Sequence, residues 1–173
     1  MLNQETNCRS FPHVSGGVSF TNSRFQIPKY QRSYTWDEEQ VRDLVTDLLK
    51  AVELNTPHYI GTIVVAKDKT KKNTLNIVDG QQRTTTLTIF LNELIRRLPD
   101  TSEQTFNRMM FIKDSEYKLI PLHADRQFFH DMLESLPVTP LSNSQRRLLR
   151  SKEIINDVLD SAPDHAGLLA AIK

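Results

Sequence analysis

The segment Ile77-Val78-Asp79-Gly80-Gln81-Gln82-Arg83-Thr84-Thr85-Thr86 concentrates the side chains best suited to chemistry. A strand that feeds a helix through a glycine gathers unpaired backbone N–H groups at the helix start, where the positive end of the dipole favours an anion. Gly80 permits the sharp turn and a close backbone approach. Arg83 offers a planar, permanently charged fork matched to phosphate oxygens, and Thr84 and Thr85 add hydroxyls nearby. Gln81 and Gln82 each donate and accept, which suits orienting a water or reading a base. Asp79 is the awkward member. Its carboxylate repels a phosphate unless a cation such as Mg2+ lies between them, or unless it turns back to cap the helix. Asp79-x-x-Gln82 has the spacing of a plain capping box, which accounts for Asp79, Gly80 and Gln82. It does not account for Gln81, Arg83 and three successive threonines, since β-branched residues are poor helix starters. The functional turn is the preferred reading.

A second cluster is Ile27-Pro28-Lys29-Tyr30-Gln31-Arg32-Ser33-Tyr34-Thr35-Trp36, in which two tyrosines and the only tryptophan interleave with Lys29 and Arg32. Aromatic rings beside cations can stack a base while the cations hold phosphate. The alternative is that Tyr34 and Trp36 pack on the helix that follows, in the manner of a hydrophobic staple. Packing is preferred for Trp36, and the functional reading for Tyr30, Gln31 and Arg32.

Several elements must position these clusters. Thr35 and Glu38 have capping-box spacing, and Val41, Leu44, Val45, Leu48, Leu49 and Val52 form an apolar stripe, so a helix is expected over 36–53. The β-branched run Tyr59–Ala66 and the strand 74–79 predict a hairpin, with Lys67, Lys69, Lys71 and Lys72 at a solvated tip. Pro28 puts Phe25–Ile27 at a sheet edge or a strand end. Leu87, Phe90, Leu91, Leu94, Ile95 and Leu98 mark a helix after the turn. A strand over Glu116–Leu122 and helices over Ala124–Ser135 and Ser142–Ser161 follow. Arg146, Arg147, Arg150 and Lys152 on the last of these could meet DNA, but a solvated face is the preferred reading. The tail Pro163–Lys173 begins another helix and stops while still apolar, so a continuing chain is expected. The resulting organisation is a lead-in over 1–17, a nucleotide-binding domain over 18–122 and a helical extension over 123–173. The fold class is mixed α/β.

Composition excludes several classes. The 173 residues carry 22 Lys+Arg against 21 Asp+Glu, a net charge of +1. That balance argues against histone-like attraction to nucleic acid but leaves room for a local basic site. A lone Cys8 forms no intramolecular disulfide, and no Cys/His pair has zinc-site spacing. Cys8 sits in the loose lead-in, which argues against a catalytic thiol. There is no P-loop and no G-x-S-x-G elbow. No apolar run spans a bilayer and no signal-peptide pattern opens the chain, so a cytoplasmic protein without a membrane partner is expected.

Taken together, IPKYQRSYTW, HYIGTIVV and IVDGQQRTTTL resemble the N-terminal domain of GmrSD-type modification-dependent restriction enzymes, of the ParB/sulfiredoxin-like superfamily. The motif positions are Ile27-Pro28-x-Tyr30-Gln31-Arg32-x-Tyr34-x-Trp36, His58-Tyr59-Ile60-Gly61 and Asp79-Gly80-Gln81-Gln82-Arg83. The resemblance implies a small sheet with flanking helices that binds and hydrolyses ATP or GTP with Mg2+ and senses DNA, modified or not, in a restriction or anti-phage protein. Asp79, Gln81, Gln82 and Arg83 are then the catalytic candidates, with Asp79 the candidate for Mg2+. Tyr30, Gln31, Arg32, Gly61, Gly80, Thr84 and Thr85 are the nucleotide-binding candidates, and Lys29, Trp36 and His58 adjoin them. An HNH-type nuclease domain or partner subunit is implied as well. This chain has no His-rich nuclease motif and is not expected to cut DNA by itself. The alternative is a non-catalytic DNA- or protein-binding module.

Overall fold

Along the longest strand, Leu75 and Ile77 are buried while the alternate residues Asn76 and Val78 are half-buried and exposed, so one face of the sheet is committed to the core. The computed structural model describes residues 23–56, 59–98, 117–162 and 164–172. Among them lie β1 (Arg24–Gln26), α1 (Glu38–Glu53), β2 (Val64–Lys67), β3 (Thr74–Asp79), α2 (Gln81–Arg96), β4 (Leu119–Ile120), α3 (His123–Leu133), α4 (Asn143–Asp160) and α5 (His165–Ile172). The fold is mixed α/β, as expected. The lead-in expected over 1–17, and His58, lie outside the described residues.

The sheet order is β2-β3-β1-β4. β1 is parallel to both β3 and β4, and β2 is antiparallel to β3. Of the two placements expected for Phe25–Ile27, the strand end holds and the sheet edge does not. Ile27 N still donates to Ile120 O at 2.9 Å, and Pro28 follows only after pairing has ended. The expected strand Tyr59–Ala66 is also shorter. Gly61 has φ 87°, outside strand geometry, and the ladder is irregular between Val64 and Val65, so pairing covers only β2.

The expected Thr35 cap is corrected, and the capping box weighed as the alternative at Asp79 is absent. Helix α1 is capped at Asp37, whose amide donates to Gln40 Oε1 at 2.9 Å. Thr35 is unavailable because its own amide is bonded to Gln82 Oε1 at 2.9 Å. The Asp79/Gln82 box does not form either: Asp79 ends β3, and Gly80 is the N-cap of α2 in the left-handed region, φ 85°. At α4 the cap is Ser142, which accepts from Gln145 N at 3.1 Å.

A single hydrophobic cluster joins Val41 and Val45 of α1, Ile77 of β3, Ile89, Phe90 and Leu94 of α2, Phe129 of α3, and Leu148, Ile155 and Leu159 of α4. The core therefore runs without a break across residue 122. Within α3, His130 stacks on Tyr117 with ring centroids 4.5 Å apart, and its Nε2 is buried without a partner. Burial, then the charge of Arg126, lowers its pKa. The folded state thus binds fewer protons than the unfolded chain, and stability rises with pH. This contribution is complete above about pH 6.5, the unfolded value, and declines as pH falls below it. Urea unfolding across a pH series should show that decline, and His130→Phe, which keeps a stacking ring, should remove it. An unchanged acid slope in the variant would assign the effect to other groups.

Candidate functional site

Because β1, β3 and β4 run parallel, their carboxyl ends (Ile27, Asp79-Gly80 and Pro121) lie along one edge of the sheet. Crevices at such edges are where open α/β sheets bind ligands. Helix α2 starts there, and no side chain caps it. The first helix amide bonded to a described residue is Thr84 N, to Gly80 O at 2.9 Å. The amides of Gln81, Gln82 and Arg83 are left as donors at the positive end of the dipole. Gly80 makes this possible. A β-carbon there would lie 3.1 Å from both Thr62 O and Ile63 Cγ1, at a positive φ that L-residues avoid. Gly80→Ala is expected to cost about 1–2 kcal/mol in denaturant unfolding; an unchanged midpoint would show that the turn relaxes freely.

The second motif docks on the first through glutamine side chains. Gln31 Nε2 donates to Val78 O at 2.8 Å. Gln81 Nε2 donates to Arg32 O and Gln82 Nε2 to Ser33 O, each at 3.1 Å. With Thr35 N on Gln82 Oε1, the backbone from Arg32 to Thr35 is held at the start of α2. Gln81 and Gln82 are only 6% and 7% exposed, as befits side chains that fasten a loop. Tyr34 anchors it further, its hydroxyl lying 2.7 Å from Thr86 Oγ1 and 3.0 Å from Ser151 Oγ. Burial raises the Tyr34 pKa, so the phenol stays neutral as a hydrogen-bonding group.

The third motif meets the first through Arg83, whose Nη1 donates to Thr62 O at 3.1 Å. A β-carbon on Gly61 would lie 2.7 Å from Arg83 Cζ, so the bare glycine backbone admits the guanidinium. The run of threonines is also explained. Thr84, Thr85 and Thr86 donate their hydroxyls to the carbonyls of Gly80, Gln81 and Gln82, each one turn back. These hydroxyls serve the helix, and Thr85 is buried. The solvent-facing members of the expected set are Lys29, Tyr30, Arg32 and Asp79, with Tyr30 75% exposed. Trp36 packs partly on the core and turns the remainder toward a groove beside α4.

How some of these groups come together escaped the sequence reading. A cavity of about 20 Å3, with room for roughly one water, is lined by Ile27, Arg32, Tyr34, Gln81, Asp125 and Phe129. Gln81 Oε1 is buried without a donor. Asp125 is buried and accepts from Ser144 Oγ at 2.7 Å, and Ser144 Oγ in turn accepts from Tyr34 N at 3.1 Å. An acidic residue in the first turn of α3 was visible in sequence, but its tie to a loop almost a hundred positions earlier was not.

The fold and this edge define a class: a mixed α/β domain whose parallel strands end at an open helix start, joined to an aromatic and cationic loop. Residues 17–169 match the model of the GmrSD restriction endonuclease N-terminal domain, and the chain belongs to that family. It is accordingly a module of a restriction or defence protein. No curated protein matches the chain. Among the described residues no helix is long and apolar enough to cross a membrane.

Proposed function

We propose that this domain binds ATP or GTP at the start of α2, hydrolyses it, and senses DNA through the Tyr30–Arg32 loop for a restriction or anti-phage protein. The observation that carries this reading is the uncapped first turn of α2, fastened to the loop that bears Tyr30 and Arg32. The free amides and the Arg83 guanidinium receive phosphate oxygens, and Lys29 and Arg32 add positive charge. Tyr30 offers its exposed ring to a base. The amide nitrogens of Gln81 and Gln82 keep the loop in register, and the unpaired Gln81 Oε1 is the glutamine atom suited to orient a water.

Among the described residues there is no cluster of three metal-ligating side chains. Mg2+ in phosphate sites commonly uses one or two carboxylates together with substrate oxygens, and the exposed Asp79 fits that mode. The ion would supply charge neutralisation. Hydrolysis of this kind depends mainly on positioning and on neutralised charge. Cleavage of DNA falls to an HNH-type nuclease domain or partner subunit.

Phosphate release from ATP and GTP with Mg2+, with and without DNA, is the test, run on this chain and on a form carrying the nuclease part. Turnover that falls in Asp79→Asn supports the reading. Failure of both nucleotides to bind, measured by calorimetry, overturns it. A second reading is a non-catalytic DNA- or protein-binding module, favoured by the ties of Gln82 and Arg83 to backbone carbonyls. Its signature is intact DNA binding with no turnover in either form.

A further inference from the structure

We propose that the groove between the start of α1 and the first half of α4 is a second nucleic-acid site. It takes a single-stranded segment by stacking a base on Trp36 and holding flanking phosphates with Arg146 and Arg147. The groove encloses about 280 Å3, and Trp36, Glu38, Arg146, Arg147, Arg150 and Ile154 are among its lining residues. It is distinct from the edge where α2 starts. The loop has two sides: Arg32 lines the cavity at the strand ends, and Trp36 lines this groove.

The charges of α4 point to an anionic ligand. A solvated helix face ordinarily mixes signs at i, i+3 and i+4. Here Arg146 and Arg147 have no acidic residue at those spacings, and Arg150, one turn on, repels both. They stand early in a helix with no acidic residue in its first turn, where the dipole disfavours cations. Neither has a hydrogen-bond or ion-pair partner for its guanidinium among the described residues. Arg150 differs: its Nε and Nη2 donate to Glu38 at 2.8 and 3.0 Å, and its Nη1 to Glu153 at 2.9 Å. Asp37 also lines the groove, but no ion pair joins it to Arg146 or Arg147, so two guanidinium groups stand without a bonded anion. An indole on the same groove, which Ile154 also lines, adds a stacking surface that a bare phosphate does not need. A base inside a duplex cannot reach it without leaving its stack, hence the single strand.

Trp36 is the only tryptophan in the chain, so its fluorescence reports on the groove directly. Titration with oligo(dT) of roughly 12 nucleotides, within the usual single-strand site size, should give a saturable quench. The double variant Arg146→Ala/Arg147→Ala should weaken it by about tenfold or more at low salt. It should also lower the slope of log K against log salt by about 1.4, two phosphates at 0.7 each. Glu38→Gln, which releases Arg150 to the ligand, should tighten binding about threefold. Absence of a saturable quench, or a double variant with wild-type affinity and slope, overturns the proposal. So does an equal quench by inorganic triphosphate, which would mark a simple anion patch, or by a duplex of the same length.

Discussion

Arg83→Ala is expected to lower nucleotide turnover by roughly a hundredfold or more, the usual effect of removing one preorganised donor from a charge-stabilising site. Arg83 is in the first turn of α2, one residue past Gln82, where phosphate charge would be concentrated. Its Nη1 is occupied by Thr62 O, which fixes the plane of the fork without using up its five N–H groups. Removal should loosen the Gly61–Ile63 segment as well, at about 1 kcal/mol for one partly exposed hydrogen bond. Arg83→Lys separates the two effects. It keeps the charge but cannot present a planar fork, so low turnover in both variants assigns the role to geometry, and recovery in lysine assigns it to charge. Steady-state phosphate release is the measurement. Wild-type turnover in Arg83→Ala would remove Arg83 from the catalytic set.

Gln82→Leu is expected to destabilise the fold by about 2–4 kcal/mol, leaving Ser33 O and Thr35 N without their partner at roughly 1–2 kcal/mol each. For a chain of this size that corresponds to a melting temperature lower by roughly 5–15 °C. Leucine nearly preserves volume, so packing contributes little and the loss reports the two hydrogen bonds. Gln81→Leu should cost less, because Gln81 makes one such bond, to Arg32 O, and its Oε1 has no donor to lose. Denaturant unfolding of both variants tests the order. Equal losses, or a larger one for Gln81, would overturn this order, and negligible losses in both would show that the loop is held chiefly by Tyr34. Nucleotide affinity should fall along with stability in Gln82→Leu, since the released loop carries Tyr30 and Arg32.

The elements that sequence made legible are those whose signals are local. The apolar stripe of α1, the strand–glycine–helix turn at Gly80 and the Ser142 start of α4 depend on residues within a turn or two of each other. Errors arose where a distant group competed. Thr35 looked like a cap, but its amide is claimed by Gln82, forty-seven positions later. Tyr59–Ala66 looked like one strand, but Gly61 takes a positive φ with the Arg83 guanidinium against it, and pairing begins only at Val64. The threonines are a local case instead: their hydroxyls bond helix carbonyls one turn back, a direction that residue type alone does not reveal.

By itself, the sequence determined which residues carry charge, rings and amides, and that they come in three short motifs joined by amphipathic segments. Periodicity and capping chemistry act over a few residues, so this much can be read along the chain. Tertiary structure alone decided that the motifs meet at one sheet edge, that Gln82 serves the loop and Arg83 the glycine segment, and that Trp36 faces α4. Those outcomes depend on hydrogen bonds and packing between residues tens of positions apart, whose directions are set only once β1 lies between β3 and β4.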